Sequence, residues 1–488
     1  MKLCDLLKDL DTREIRADLS LEIRSVTSDS RKLRQGDVFV CLKGTRVDGT
    51  SFIPSALERG AAAVVTYEAP KEKIPYVLME DTRDALPRLL SNLYGHPERS
   101  FDRIIGITGT NGKTTTSFML KAIFDHAGHK TGLIGTTKYL VLDEEFQVDQ
   151  KAAFLTTPDP ELLFELFCAM REKGVDTVIM ETSSHALAFQ KLAGIPFHVG
   201  IFTNLTRDHI DFHQTMEEYL QAKKLLFKTA EKGLFNKDDP AFEAITEDVR
   251  SEVFSFSSEK AAHFKAGRIL SHTPHGLCFE LESPEGKEEI SLPLPGLFNI
   301  SNALCALGGA SLCGIPVKTA KEALAHMAGV KGRIERIPTD TPFSVFIDFA
   351  HTPDALENII KTLRSFTEGR LMVLFGCGGD RDKTKRPIMG EIACRLSDFV
   401  IITSDNSRTE KKEDIIRDIL VGTEGTKTPL VSITDRTAAI RFAIDEAREG
   451  DVILLAGKGH EEYEIDENGK HDYSEKAIVL EYIGEKKL

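Results

Sequence analysis

The sequence predicts an α/β protein of three domains, the central one built on a parallel sheet and the last one doubly wound and Rossmann-like. Three observations predict it. Short apolar runs alternate with helix-period stretches along nearly the whole chain, as parallel strands joined by crossover helices require. At 488 residues the chain exceeds what one hydrophobic core supports. Residues 104 to 116, I-I-G-I-T-G-T-N-G-K-T-T-T, pass from an apolar strand through a glycine turn into a hydroxyl-rich helix start.

Residues 1–99 read as a small α/β domain. D-V-F-V-C-L (37–42) and A-A-A-V-V-T (61–66) are strands around a helix at 52–59, and M-K-L-C-D-L-L-K-D-L, with charges inside its apolar run, is a short amphipathic helix and not a signal peptide. A helix over 83–94 ends at Gly95 and Pro97, which places a boundary near 99. In 100–332, V-D-T-V-I-M-E (175–181), H-V-G-I-F-T-N (198–204) and G-L-F-N (233–236) continue the strand pattern. Residues 249–293 read as an appended antiparallel ribbon, and a helix follows P-G-L-F-N-I-S-N (295–302). In 333–488, strands at 343–349, 370–376, 398–404 and 451–457 are each followed by a helix.

The formal charge of −14 argues against a nucleic-acid or anionic-membrane surface. Eight scattered cysteines without a C-x-x-C pair suit reduced thiols in a cytoplasmic protein, and no apolar run reaches membrane-spanning length.

The turn at 104–116 makes the central domain a nucleotide-loop domain. Gly109 and Gly112 let the backbone aim N–H groups at a phosphate, the positive end of the following helix faces the same point, and Lys113 adds a cation. Thr114 offers a hydroxyl to magnesium. Ile107 stands where the strict nucleotide loop has glycine, so this is the variant T-G-T-N-G-K-T. Glu181, ending one neighbouring strand, is a carboxylate suitably placed to hold the metal. His209 either reaches magnesium or packs, since the i, i+2, i+4 spacing of His209, Asp211 and His213 does not make a zinc site. Lys223 and Lys224 lie mid-face on a helix, where lysines are usually solvated. V-T-S-D-S-R (26–31) and K-G-T-R-V-D-G (43–49) suit a diphosphate or a sugar nucleotide, or simply turn the chain. Three loops at strand ends of the third domain carry Arg381 and Arg408 for carboxylates and Asp405 and Glu461 for an ammonium. They fit a zwitterion, or form a salt-bridged loop cluster.

Taken together, T-G-T-N-G-K-T-T, E-T-S-S-H-A-L, F-T-N-L-T-R-D-H-I-D-F-H, Y-L-Q-A-K, G-R-I-E, D-F-A-H-T-P-D-A-L and G-C-G-G-D-R-D-K resemble the muramyl (Mur) amino-acid ligases, in order and spacing from about 26 to 464. The resemblance implies a monomeric, cytoplasmic peptidoglycan-precursor enzyme using ATP and Mg2+. It implies a UDP-substrate-binding domain 1–99, an ATP-binding domain 100–332 and an amino-acid-binding domain 333–488. Ser28, Ser30, Thr45, Arg46 and Val47 would meet the UDP part of a UDP-N-acetylmuramoyl-dipeptide, and Thr156, Thr157, Ser183 and Lys191 its muramyl-dipeptide part. Gly109, Thr110, Asn111, Gly112, Lys113, Thr114, Thr115, Asn302, Arg333, Asp348 and His351 would handle ATP. Lys113, Glu181, His209 and Lys223 would be catalytic; Lys223, matching a family lysine that becomes a carbamate (N6-carboxylysine), would bind magnesium with Thr114, Glu181 and His209. Arg381, Asp405, Asn406, Ser407, Arg408, Gly457 and Glu461 would hold the incoming amino acid. The arginine closing D-N-S-R favours meso-diaminopimelate, whose distal carboxylate it can grip, over L-lysine or another diamino acid. Three positions depart from the family pattern: Lys191 stands where arginine is common, Phe349 replaces a usual tyrosine, and Ser407 a usual proline. Folylpolyglutamate synthase, the nearest enzyme rival, does not account for the domain before residue 100 or for D-N-S-R. A nucleotide switch without turnover leaves Glu181, His209 and Lys223 without a joint task.

Overall fold

The computed structural model describes residues 1–44, 47–71, 73–148, 155–273, 275–327 and 329–486. Two compact units are present: one comprises 1–205, 215–256 and 305–320, the other 206–214, 257–304 and 321–488.

The first unit contains two sheets. The N-terminal sheet runs Glu14–Arg16, Tyr76–Leu78, Ala63–Thr66, Val38–Val40, Val26–Thr27, parallel except for the first pair. The larger sheet has parallel strands in the order Glu252–Ser257, Lys232–Asn236, Val199–Phe202, Arg103–Thr108, Thr177–Glu181 and Thr131–Ile134. Tyr139–Val141 then adds antiparallel. These strands are continuous apolar runs because helices cover both faces. Lys113–His126 and Pro160–Glu172 bury Leu120, Ile123, Phe164 and Phe167 against them. One apolar cluster joins Val38, Val65 and Leu89 to Ile104, Phe167 and Val178, with the Phe101 and Phe167 rings 5.5 Å apart.

In the second unit, Phe264–Thr273, Gly276–Ser283 and Gly286–Leu292 form an antiparallel meander. The expected ribbon over 249–293 is thus corrected at its start: Glu252–Ser257 pairs parallel with Lys232–Asn236, since it follows a crossover and not a hairpin. The C-terminal sheet runs Glu335–Ile337, Ser344–Asp348, Val452–Ala456, Leu371–Phe375, Phe399–Ile402, Leu430–Ser432, parallel after its first pair. Alternate residues divide between two cores: Leu371, Val373 and Phe375 enter one, Met372 and Leu374 the other. That division is the physical content of double winding. No helix among the described residues is long and apolar enough to cross a membrane.

Candidate active site

Strand Arg103–Thr108 delivers the glycine loop to the carboxyl ends of its parallel neighbours, the usual ligand edge of such sheets. Gly109 (φ +148°) lies so close to Thr203 that an added Cβ would collide with the threonine hydroxyl. Gly112 (φ +86°) opens the helix Lys113–His126. The adjoining strand end fixes the loop: Thr110 N–H donates to the Asn204 carbonyl (2.9 Å), Asn111 N–H to the Asn204 side-chain oxygen (2.9 Å), and the Thr203 hydroxyl to the Asn111 carbonyl (2.6 Å). The Lys113 ammonium donates to the Gly109 and Thr110 carbonyls, 2.8 Å each. Thr115 is buried in the first turn of the helix. The loop is therefore held by its surroundings at the N-terminus of the helix Lys113–His126, the end of a helix that favours a phosphate.

Glu181 is fully buried at the end of the adjacent strand. Its carboxylate accepts the Thr114 hydroxyl (3.1 Å), the Thr136 N–H (3.1 Å) and the Thr136 hydroxyl (2.8 Å). A Cβ at Gly135 would strike it. Thr114 and Glu181 together offer hard oxygens of the kind magnesium selects. Thr136 is a residue that sequence reasoning missed; the signal was its place two residues beyond strand Thr131–Ile134, whose parallel register pairs Ile134 with Met180 and so brings the loop after it alongside Glu181.

Lys223 and Lys224 are both buried, against the expectation of solvated lysines. Helix Met216–Lys224 presses that face inward, with Lys224 donating to the Ala244 carbonyl (3.0 Å). The Lys223 ammonium lies 4.2 Å from the centre of the Tyr219 ring, and the Tyr219 hydroxyl is 3.2 Å from the Thr110 hydroxyl of the phosphate loop.

Beside Glu181, Thr157 donates to the Glu181 carbonyl (2.7 Å), accepts the Ser183 N–H (2.9 Å), and lies 3.2 Å from the Ser183 hydroxyl. Thr156 is 3.1 Å from the Thr136 hydroxyl. Lys191 pairs with Asp159 at 2.6 Å. Ser28 donates through its N–H (3.0 Å) and hydroxyl (2.8 Å) to Glu161. Ser30 is buried and Val47 exposed; Thr45 and Arg46 lie outside the described residues.

In the second unit, Arg333 stacks over Phe349 (4.9 Å) beside Asp348, whose carboxylate accepts the Ile334 N–H at 2.8 Å. Burial pushes the Asp348 carboxyl upward, opposed by Arg333. The His351 and Phe349 rings are 4.6 Å apart, and His351 lies 2.8 Å through Nδ1 from the Phe349 carbonyl. Burial and Arg333 take His460, 4.9 Å from Phe349, down to about 3, so it stays neutral at pH 7. Asn302 is buried and donates to Asn299 (2.9 Å). His209 is held left-handed (φ +53°) with Nε2 3.5 Å from Asp208; the charges of Asp208 and its neighbour Arg207 act on His351 and Asp382.

The three C-terminal loops converge. Asp405 is buried, its carboxylate accepting the Asn406 N–H (2.5 Å); burial alone would raise its pKa, but Lys458 and Arg436 outweigh it and hold the carboxyl below its usual range. Asn406 donates to Glu461 (2.8 Å), whose carboxyl is pushed up by burial and by Asp405. A Cβ at Gly457 would press on the Asp405 carboxylate. Arg408 (φ +53°) donates to the Gly379 carbonyl (2.9 Å), and Ser407 is buried. Arg381 stays exposed. The arrangement puts acidic and guanidinium groups side by side, as a zwitterion needs.

Three family models match: Mur ligase family, catalytic domain over residues 22–94, Mur ligase middle domain over 107–310, and Mur ligase, glutamate ligase domain over 332–459. A UDP-N-acetylmuramoyl-L-alanyl-D-glutamate--2,6-diaminopimelate ligase of Caldanaerobacter subterraneus subsp. tengcongensis is 42% identical over 488 residues, 99% of each chain. One of Clostridium perfringens is 44% identical over 497 residues, again 99% of each. A solved structure carrying the same ligase name superposes with a TM-score of 0.71 at 28% identity, covering 100% of this chain and 99% of the other. A Mycobacterium tuberculosis folylpolyglutamate synthase, at 19% identity and TM-score 0.63, shares the fold over 77% of this chain. With relatives more than 40% identical from end to end and family models along all three segments, the chain belongs to the Mur ligase family.

Proposed function

We propose that this chain is the cytoplasmic, ATP-dependent ligase that joins meso-diaminopimelate to the D-glutamyl γ-carboxylate of UDP-N-acetylmuramoyl-L-alanyl-D-glutamate in peptidoglycan precursor synthesis. The observation that carries the reading is 42–44% identity over 99% of the chain to ligases of that name. Three functional domains, 1–99, 100–332 and 333–488, would serve the UDP substrate, ATP and the amino acid.

A carboxylate is a poor electrophile, so the γ-carboxylate first attacks the γ-phosphorus of ATP, giving an acyl phosphate and ADP. The neutral amine of diaminopimelate then attacks the activated carbonyl and expels phosphate, leaving an amide. Lys113 and the loop N–H groups neutralise charge that builds on the transferring phosphoryl group. Magnesium, when bound, supplies further neutralisation of the phosphate oxygens. Thr114 and Glu181 are its proposed ligands, and Lys223 joins them once its amine has added carbon dioxide, because a carbamate offers oxygens where an ammonium would repel the metal. The same role is proposed for His209. Asp405 and Glu461 receive the ammonium of the distal centre, and Arg408 and Arg381 its carboxylate.

Purified enzyme given ATP, the UDP-dipeptide and a panel of amino acids tests the reading. The expected result is kcat/KM for meso-diaminopimelate at least tenfold above that for L-lysine; a preference for lysine overturns the assignment of the amino acid. With the amine omitted, a trappable acyl phosphate is expected, and an adenylate would contradict the scheme. Intact mass in bicarbonate tests the carbamate, and Lys223→Ala with full activity would exclude it.

A further inference from the structure

Beneath the amino-acid loops lies a layer of charge that the reaction itself does not use. Lys458, between Gly457 and Glu461, is fully buried. Its ammonium donates to the Asn406 side-chain oxygen (2.9 Å) and the Tyr463 carbonyl (2.8 Å) and stands 3.9 Å from Glu461. The same Asn406 oxygen accepts the Ile465 N–H at 3.0 Å. With both lone pairs of that oxygen engaged, the amide has one orientation, and its NH2 group faces Glu461 at 2.8 Å. The second Glu461 oxygen accepts the Tyr463 hydroxyl at 3.2 Å.

Deeper in the same unit, Arg436 is 2% exposed, pairs with Glu475 at 2.8 Å and donates to the Ser404 and Ala456 carbonyls. Two cations, Lys458 and Arg436, thus accompany three carboxylates, Asp405, Glu461 and Glu475. Buried carboxylates are costly unless cations offset them.

We propose that Lys458 is a positioning and specificity-determining residue for the amino acid: it locks the Asn406 amide and offsets part of the charge of Asp405 and Glu461, so that together they accept a single ammonium group. This rests on the reading of the chain as an amino-acid ligase. Burial and Asp405 push the Glu461 carboxyl up, and Lys458 draws it back down. Burial also works against the ionised form of Asp405, where Lys458, Arg436 and His351 act in the opposite direction. Burial lowers the ammonium of Lys458 itself, as does Arg436, while Asp405, Glu461 and Glu475 favour its charged form. The remaining groups facing this layer are the Tyr473 ring, 5.4 Å from the Lys458 ammonium, and Arg408, which acts on Tyr463. Without Lys458, Asp405 and Glu461 lose a nearby cation and ionise at higher pH.

The test is Lys458→Met in the full chain, with steady-state rates measured in ATP, UDP-dipeptide and meso-diaminopimelate from pH 4 to 9. The KM for meso-diaminopimelate is expected to rise tenfold or more at pH 7, while those for ATP and UDP-dipeptide stay within twofold. The acid limb of kcat/KM for the amino acid should move up by about one pH unit. Lys458→Arg should bring that limb back toward the wild-type position. Where Lys458→Met does not fold, the same limb is read in Lys458→Gln, which keeps a donor for Asn406 and removes the charge. A limb that stays in place in a folded neutral variant overturns the inference. Wild-type enzyme without turnover dependent on an amino acid overturns the ligase reading, and this inference with it.

Discussion

Lys113 illustrates how one side chain serves both the resting loop and the proposed reaction. Its ammonium satisfies two loop carbonyls at 2.8 Å, contacts that water can replace. Lys113→Ala is therefore expected to leave the melting temperature within a few degrees while lowering kcat about 100- to 1,000-fold; calorimetry beside a phosphate-release assay checks both. Glu410 shows the opposite balance. Hydrogen bonds from Arg386 and Lys383 hold its carboxyl at about 2, and Arg386 is completely buried. A carboxyl depressed on folding stabilises the protein above its unfolded pKa of about 4.5, and that contribution fades as pH falls toward 2. Glu410→Gln should thus cost about 1–3 kcal/mol at pH 7, with the gap from wild type closing between pH 4.5 and 2 in urea unfolding measured across that range.

Among the elements, the hairpin Tyr463–Asp466 and Gly469–Asp472 has a task that its size does not suggest. It clamps the D-N-S-R loop, since Arg408 N–H donates to the Ile465 carbonyl (3.1 Å), Ile465 N–H to Asn406 (3.0 Å), and Lys412 pairs with Glu464 (2.7 Å). Ile465→Pro removes the central donor. The expected outcome is a KM for the amino acid raised about tenfold, one lost hydrogen bond to a positioned group, with the KM for ATP unchanged. The turn at Gly332 (φ +69°) joins two further motifs, for an added Cβ would collide with the backbone of Gly459 and His460. This close approach brings the G-R-I-E turn (332–335) against the G-K-G-H loop (457–460), far apart in the chain.

At the level of the molecule, no cluster of three or more metal-binding side chains occurs among the described residues, and all eight cysteines are free thiols. The fold rests on its apolar cores instead. EDTA should therefore abolish turnover, on the proposed role of magnesium, while leaving far-UV circular dichroism and Tm unchanged; a fall in Tm of more than about 5 °C, roughly 1 kcal/mol or more for a domain, would contradict this. Dithiothreitol should have no effect on either.

The strands, the glycine loop, Glu181 and the three C-terminal loops were legible in the sequence, because apolar periodicity and local turn chemistry leave their mark within a few residues. What the sequence left open was decided by packing between distant segments. The burial of Lys223 and Lys224 depends on which helix face meets the sheet. The grip of Thr136 on Glu181 depends on strand register, and the parallel pairing of Glu252–Ser257 on a crossover. Nothing in linear order marks the buried Lys458 and Arg436 until the carboxylates Asp405, Glu461 and Glu475, from three stretches of chain, are brought within reach. Linear order determined the chemistry available to this protein, and only the tertiary structure decided which charges lose water and so must answer to one another.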